Sequence, residues 1–332
     1  MRVFIVGMLV AALAAGACGG QQKVRLTHRP NDIFGRMAAA AAEAPCAPSP
    51  VAGPVPTAPG KRPDNAFGYD VVFYFAHPED ETLFTPGTMD EFVAAKGRIF
   101  EVVLSHGEGG RLLERDATGN LREVIGAPPA KVAEVRDREL AQAMKALGIE
   151  YEHLYPATAH ADFAAGDVKG PDRAVHSCGE TLERWDALLP DGIAGLLKKL
   201  VASIRTRRPR LIVTHDHRDD DDWLDHGHHK AFGALVEMAA RAAADPRVPG
   251  DPPHVIDEFV TIAPKQVPAD VTLQTGAEMR KKLMAANASQ FEAQKYAEIS
   301  ERAVERYVVR WRAVGLPPPR AGSLMASFAN SR

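Results

Sequence analysis

The 332-residue chain is 45% hydrophobic and 25% charged, a balance that allows a substantial buried core and excludes a disordered or fibrous protein. Its formal net charge of -3 gives no basic excess, and no Lys/Arg run interleaved with aromatics occurs. A protein of this kind is not expected to bind the phosphate backbone of nucleic acid.

The chain begins with Arg2, an apolar run and small residues ahead of Cys18. Residues 1–17 read as a secretory signal, too short to span a bilayer comfortably. Small residues directly before Cys18 resemble a bacterial lipobox, which makes Cys18 the first residue of an exported, periplasmic lipoprotein whose only membrane contact is its lipid. Ala15-Gly16-Ala17 suits ordinary signal cleavage and soluble export as the second choice. If Cys18 carries lipid, Cys46 and Cys178 remain as an even pair that could close a very long loop in an oxidising compartment. The absence of any CxxC pair argues against a cysteine-built zinc site.

Residues 18–65 are rich in Ala and Pro and read as a semi-extended tether, with the folded body over 66–332. In that body short apolar runs alternate with amphipathic segments, the pattern of an α/β fold: a Rossmann-like, mainly parallel sheet flanked by helices. Strands are expected over 70–76, 99–104, 151–155, 211–214 and 255–262. The stripe Val132, Val135, Leu140, Met144 and Leu147 marks a helix that Gly148 stops. Further helices are expected over 192–207, over 225–244 and, as a charged outer helix, from 277 to about 312. The connections 106–129 and 157–181 are long and rich in Gly, Asp and His, as binding loops are.

The first strand runs straight into Ala76-His-Pro-Glu-Asp-Glu81, and the strand near residue 213 runs into a stretch dense in imidazole and carboxylate, residues 214–230. In an open parallel sheet, ligands sit outside the carboxyl ends of the strands, where both stretches begin. Zinc or a hard divalent cation is the natural partner for such density. His226 and His229, three apart at a helix start capped by Asp225, share a helix face, whereas His228 points elsewhere. His77, Asp80 and one histidine of the second cluster make three ligands, and Glu79 is left to act as a base. The run 219–222 reads as solvated, and His215 and His217 stay undecided.

Ala76-His-Pro-Glu-Asp-Glu81 is similar to the Ala-His-Pro-Asp-Asp-Glu signature of the PIG-L/LmbE-like N-acetylglucosaminyl deacetylases, and His226-Gly-His-His229 to their His-x-x-His. Gly107-Glu-Gly-Gly110, Arg136-Asp-Arg-Glu139, Ala161-Asp162 and Ala288-Ser-Gln290 extend the resemblance over about 70–290. It implies an LmbE-like fold and a zinc-dependent N-deacetylase, with another divalent metal as an alternative ion. It implies His77, Asp80 and His229 as metal ligands and Glu79 as general base, one methylene longer than the usual aspartate. It also implies His226 as the oxyanion or leaving-group histidine, and Arg136 and Asp162 as residues that hold sugar hydroxyls. The substrate implied is an N-acetylglucosamine-containing sugar or glycoconjugate. Two rivals keep the cluster but change its use: cleavage of another amide or an ester, and an exported metal- or glycan-binding lipoprotein without turnover.

Overall fold

A computed structural model of the chain describes residues 25–28, 31–43, 46, 67–156, 177–218, 227–264, 267–291, 293–294, 304–312 and 322–325. The strands in chain order are β1 (Tyr69–Phe75), β2 (Ile99–Val103), β3 (Leu113–Arg115), β4 (Leu121–Glu123), β5 (Glu150–His153), β6 (Pro209–His215), β7 (Glu258–Ile262), β8 (Val271–Gln274) and β9 (Val304–Arg312). Among the described residues, seven of them form one sheet in the order β5-β2-β1-β6-β7-β9-β8, and β3 and β4 form a separate hairpin. β5, β2, β1, β6 and β7 run parallel, whereas β9 is antiparallel to both β7 and β8.

The helices are α1 (Ile33–Glu43), α2 (Asp80–Phe84), α3 (Pro86–Ala94), α4 (Pro129–Leu147), α5 (Cys178–Leu188), α6 (Gly192–Arg207), α7 (Gly227–Ala243) and α8 (Ala277–Ala286). They cover both faces of the sheet, and β1 shows why its sequence is apolar throughout. Val72 and Tyr74 pack with Phe34, Trp185, Leu196 and Phe232 on one side, while Val71, Phe73 and Phe75 pack with Phe92, Leu140 and Leu283 on the other. No helix of the described residues is long and apolar enough to cross a membrane.

From β1 the chain winds outward through β2 to β5, then crosses to β6 and winds the other way. The strand order therefore reverses between β1 and β6, and in open sheets of this kind ligands bind outside the carboxyl ends of the strands at such a reversal. Residues 76–80 and 215–217 leave the sheet there.

Two expectations need correction. The segment read as a tether contains α1, whose Phe34, Ala38, Ala41 and Ala42 are buried against α5, α6 and α7, so the folded body begins well before residue 66. Prolines flank this stretch but none falls inside it, and docking an apolar face stabilises a helix too short to persist alone. The expected helix over 277–312 stops at Ala286, and 304–312 is the strand β9. Its Val, Tyr and Trp content favours a pleated surface over a helix, with Trp311 stacked on Phe259 of β7 at 4.4 Å. The long connection after β2 also carries structure of its own, the β3–β4 hairpin.

Candidate metal centre

Three successive acids leave β1 into three different environments. Asp80 opens α2, and its Oδ2 accepts the backbone amides of Ala76 (3.0 Å) and His77 (2.9 Å). Glu79 turns the other way and accepts from Nη1 of Arg136 at 2.6 Å, an ion pair in which the two side chains are only 6% and 1% exposed. Glu81 points into the protein, accepting from Asn287 Nδ2 (2.6 Å) and Thr82 Oγ1 (3.0 Å). Burial pushes its carboxyl up to about 8, which makes Glu81 a neutral acid in the core at neutral pH.

α7 brings the second group of ligating atoms. It crosses the end of β6 at Gly233, where an added Cβ would collide with the His215 carbonyl, so the absent side chain permits the close approach. His229, one turn earlier, then sits with Nε2 3.2 Å from Asp80 Oδ1 and 3.1 Å from His77 Nδ1. One ligand atom from each of His77, Asp80 and His229 lies within 4.8 Å of the others. His215, the last residue of β6, braces the group: its Nε2 is 3.0 Å from Asp80 Oδ2 and its ring stacks on His229 at 4.0 Å. Phe84 closes the cluster edge-on to both rings.

This donor set fits a divalent transition metal. Asp80 Oδ1 is buried and accepts no hydrogen bond among the described residues, while its partner oxygen is fully engaged. Tetrahedral ligands about 2.0–2.2 Å from zinc stand about 3.3 Å apart, close to the observed separations. Protonation follows the same logic. Burial, and then the neighbouring His215, push His229 down to about 3, which keeps its ring uncharged at neutral pH. Burial opposes charge on Asp80 as well, but His229 and His215 hold its carboxyl well below the usual range. Burial opposes charge on His77 too, but the Asp80 and Glu79 carboxylates together outweigh it and raise His77 above its ordinary value.

Of the residues singled out in the sequence, the structure thus brings His77, Asp80 and His229 together and sets Glu79 beside them with Arg136. His226, Asp162, Asp225 and the run 219–222 lie outside the described residues. Three placements add to these expectations, and one of them, His228, departs from what was expected. Arg136, implied by the resemblance to hold sugar hydroxyls, is buried; its guanidinium lies beneath Gly107 and Gly110 and holds Glu79. His228, expected to point away, places Nδ1 3.2 Å from His77 Nε2, with its ring beside Trp185. His217 is a structural residue, fixed between the Cys46 carbonyl (3.0 Å) and Glu237 Oε2 (3.0 Å). His215 is the cluster member that sequence left undecided, and its position at the end of a buried strand was the available signal. The outlying motifs converge too: Ser289 N donates to Glu139 (2.9 Å), and Gln290 holds the Asn287 that supports Glu81.

The PIG-L family, described as GlcNAc-PI de-N-acetylase, matches residues 72–240. A 1D-myo-inositol 2-acetamido-2-deoxy-alpha-D-glucopyranoside deacetylase of Thermobifida fusca is 29% identical over 53% of this chain and 56% of its own length. Its counterpart in Thermomonospora curvata is 27% identical over 59% of this chain and 61% of its own length, so the match spans little more than half of each relative. Among solved structures, GalB, the 4-carboxy-2-hydroxymuconate hydratase of Pseudomonas putida KT2440, superposes with a TM-score of 0.50 at 18% identity, over 76% of this chain and 98% of that one, and shares the fold. With the family match running from β1 to α7, through every ligand of the cluster, the chain belongs to the PIG-L family.

Proposed function

We infer that the protein is a metal-dependent hydrolase, with zinc as its ion, that removes the N-acetyl group from an N-acetylglucosamine-containing sugar or glycoconjugate. Family membership and the names of its relatives support the reaction class. The observation that carries the reading is the convergence of His77, Asp80 and His229 at the point where the strand order reverses.

In this reading Asp80 and His229 hold the ion with His77, and His215 fixes both the carboxylate and the ring that it stacks upon. When bound, zinc supplies Lewis acidity at an amide carbonyl and makes water acidic enough to attack near neutrality. Glu79 takes the proton from that water and returns it to the departing nitrogen. Arg136 acts through Glu79, holding the carboxylate in one orientation. His226 donates to the oxyanion and Asp162 meets sugar hydroxyls, as the family resemblance implies.

The reading also places the protein outside the cytoplasm, with residues 1–17 as signal and Cys18 as lipid anchor. The Cys46–Cys178 disulfide supports an oxidising compartment.

Acetate release is to be measured on a panel headed by N-acetylglucosamine linked to inositol, with simple amides and esters beside it. Release from the sugars alone, with metal retained by Glu79→Gln and lost by His77→Ala, supports the reading. Equal metal content in the two variants would falsify the ligand assignment. The engagement of Glu79 by Arg136 favours a second reading, metal or glycan binding without turnover. Stoichiometric metal uptake with no acetate from any substrate selects it.

A further inference from the structure

A second group of ligating side chains lies at the carboxyl ends of β2 and β5, beyond the cluster described above. His106 follows β2, His153 ends β5 and Asp137 projects from α4, and one ligand atom of each lies within 4.8 Å of the others. The two imidazoles stack at 4.0 Å with an interplanar angle of 19°. Both rings are oriented by main chain. His106 Nε2 is 2.7 Å from the Tyr155 carbonyl, and His153 Nδ1 is 3.2 Å from the Ser105 carbonyl. A carbonyl only accepts, so each ring must donate that N–H, and the remaining nitrogens, Nδ1 of His106 and Nε2 of His153, turn to the same oxygen, Asp137 Oδ1, at 2.6 and 3.3 Å. His153 Nε2 is sealed from solvent and has no hydrogen bond among the described residues.

Rings that donate one nitrogen to a backbone carbonyl and aim the other at a shared carboxylate show the outer-shell pattern of metal ligands. We propose that His106, Asp137 and His153 form a second cation site, selective for a borderline divalent transition metal such as Zn2+. Two nitrogen donors argue against Mg2+ or Ca2+, which prefer oxygen. Asp137, 34% exposed, gives the ion a way in and leaves room for water in the remaining position.

The site ties three elements together beside the first. Ser105, whose carbonyl orients His153, donates through its amide and Oγ to the Ala76 carbonyl immediately before His77. Asp137 adjoins Arg136, and His106 adjoins Gly107, which packs on the Arg136 side chain. A cation here fixes the register of α4 against β2 and β5, and with it the arm that holds Glu79. The inference does not depend on the reaction proposed above.

The test is equilibrium dialysis of the full chain against Zn2+, followed by elemental analysis. The unsubstituted protein should hold two equivalents, Asp137→Asn one, His153→Gln one, His77→Ala one, and His77→Ala combined with Asp137→Asn none. Asp137→Asn conserves shape at a partly exposed position, so its fold should persist and circular dichroism checks it. A second measurement needs no substitution: on titration with Zn2+ the ring protons of His106 and His153 should shift by the second equivalent. The proposal is overturned if Asp137→Asn and His153→Gln bind as much zinc as the parent, or if those resonances stay in place, as a plain imidazolium–carboxylate pair requires. Failure of His77→Ala to lose metal counts against the first site alone.

Discussion

The buried pair Arg136–Glu79 permits a quantitative test of how the centre is held. Arg136→Met keeps the length and apolar volume of the side chain and removes its charge, leaving Glu79, 4% exposed, without the cation it faces at 2.6 Å. Breaking a buried ion pair from one side costs about 3–5 kcal/mol, because the surviving charge stays desolvated and uncompensated. Glu79→Gln alone takes away the carboxylate that faces the guanidinium beneath Gly107 and Gly110 and should cost a similar amount. The double variant removes both charges of the pair, so it should be destabilised by less than the sum of the two, with a coupling energy of about 2–3 kcal/mol. Urea unfolding of the four proteins, each with chelator present so that metal content is equal, reads the coupling directly. Additive losses, to within about 0.5 kcal/mol, refute the argument that these groups act as one unit. Acetate release should fall in Arg136→Met although no metal ligand has changed, and retained zinc separates that loss from demetallation.

Glu237 tests the pH behaviour of the frame behind the site. Burial raises its carboxyl, but His217, Arg310 and Arg241 outweigh this and hold it at about 2 against an ordinary 4.5. A depressed acid stabilises the fold above its unfolded value and loses that contribution as pH falls through the folded one, here between about 4.5 and 2, for up to about 3 kcal/mol. Urea midpoints should therefore fall more steeply with acid in the parent than in Glu237→Gln, and parallel curves would remove Glu237 from the account. The Cys46–Cys178 disulfide spans 132 residues, and replacing both cysteines by serine should cost about 2–5 kcal/mol and lower the melting temperature to that of the reduced protein. An unchanged melting temperature contradicts this. Gly110→Ala should push the Arg136 guanidinium aside and cost about 1–3 kcal/mol, with a matching loss of acetate release. A stable and fully active Gly110→Ala protein would show that the arginine has room to spare.

The centre was legible because its chemistry is written in short segments at strand ends. His77 and Asp80 are three apart, His229 opens a helix, and only an α/β frame with a reversal between β1 and β6 is needed to join them. The company each acid keeps was not legible. Arg136 lies 57 residues from Glu79, and no local spacing shows that a helix will deliver it beneath two glycines. β9 failed for a different reason: its many charges resemble a solvated helix face, while the contacts that make it a strand, to β7 and β8, are with segments that precede it by tens of residues. In α1 the alanine-rich composition reads as linker, and only the surface it meets on α5, α6 and α7 distinguishes a docked helix from a flexible one.

That helix has a consequence for how the chain assembles. Its seat is built from residues 178–243, its cysteine partner is Cys178, and Thr27 and His28 reach across to Asp186 with bonds of 2.5 to 2.9 Å. α1 therefore has nowhere to settle until the segment 178–243 has followed it in synthesis. Such long-range closure is entropically slow, so the arm behaves as a clasp fastened late over a nearly finished body.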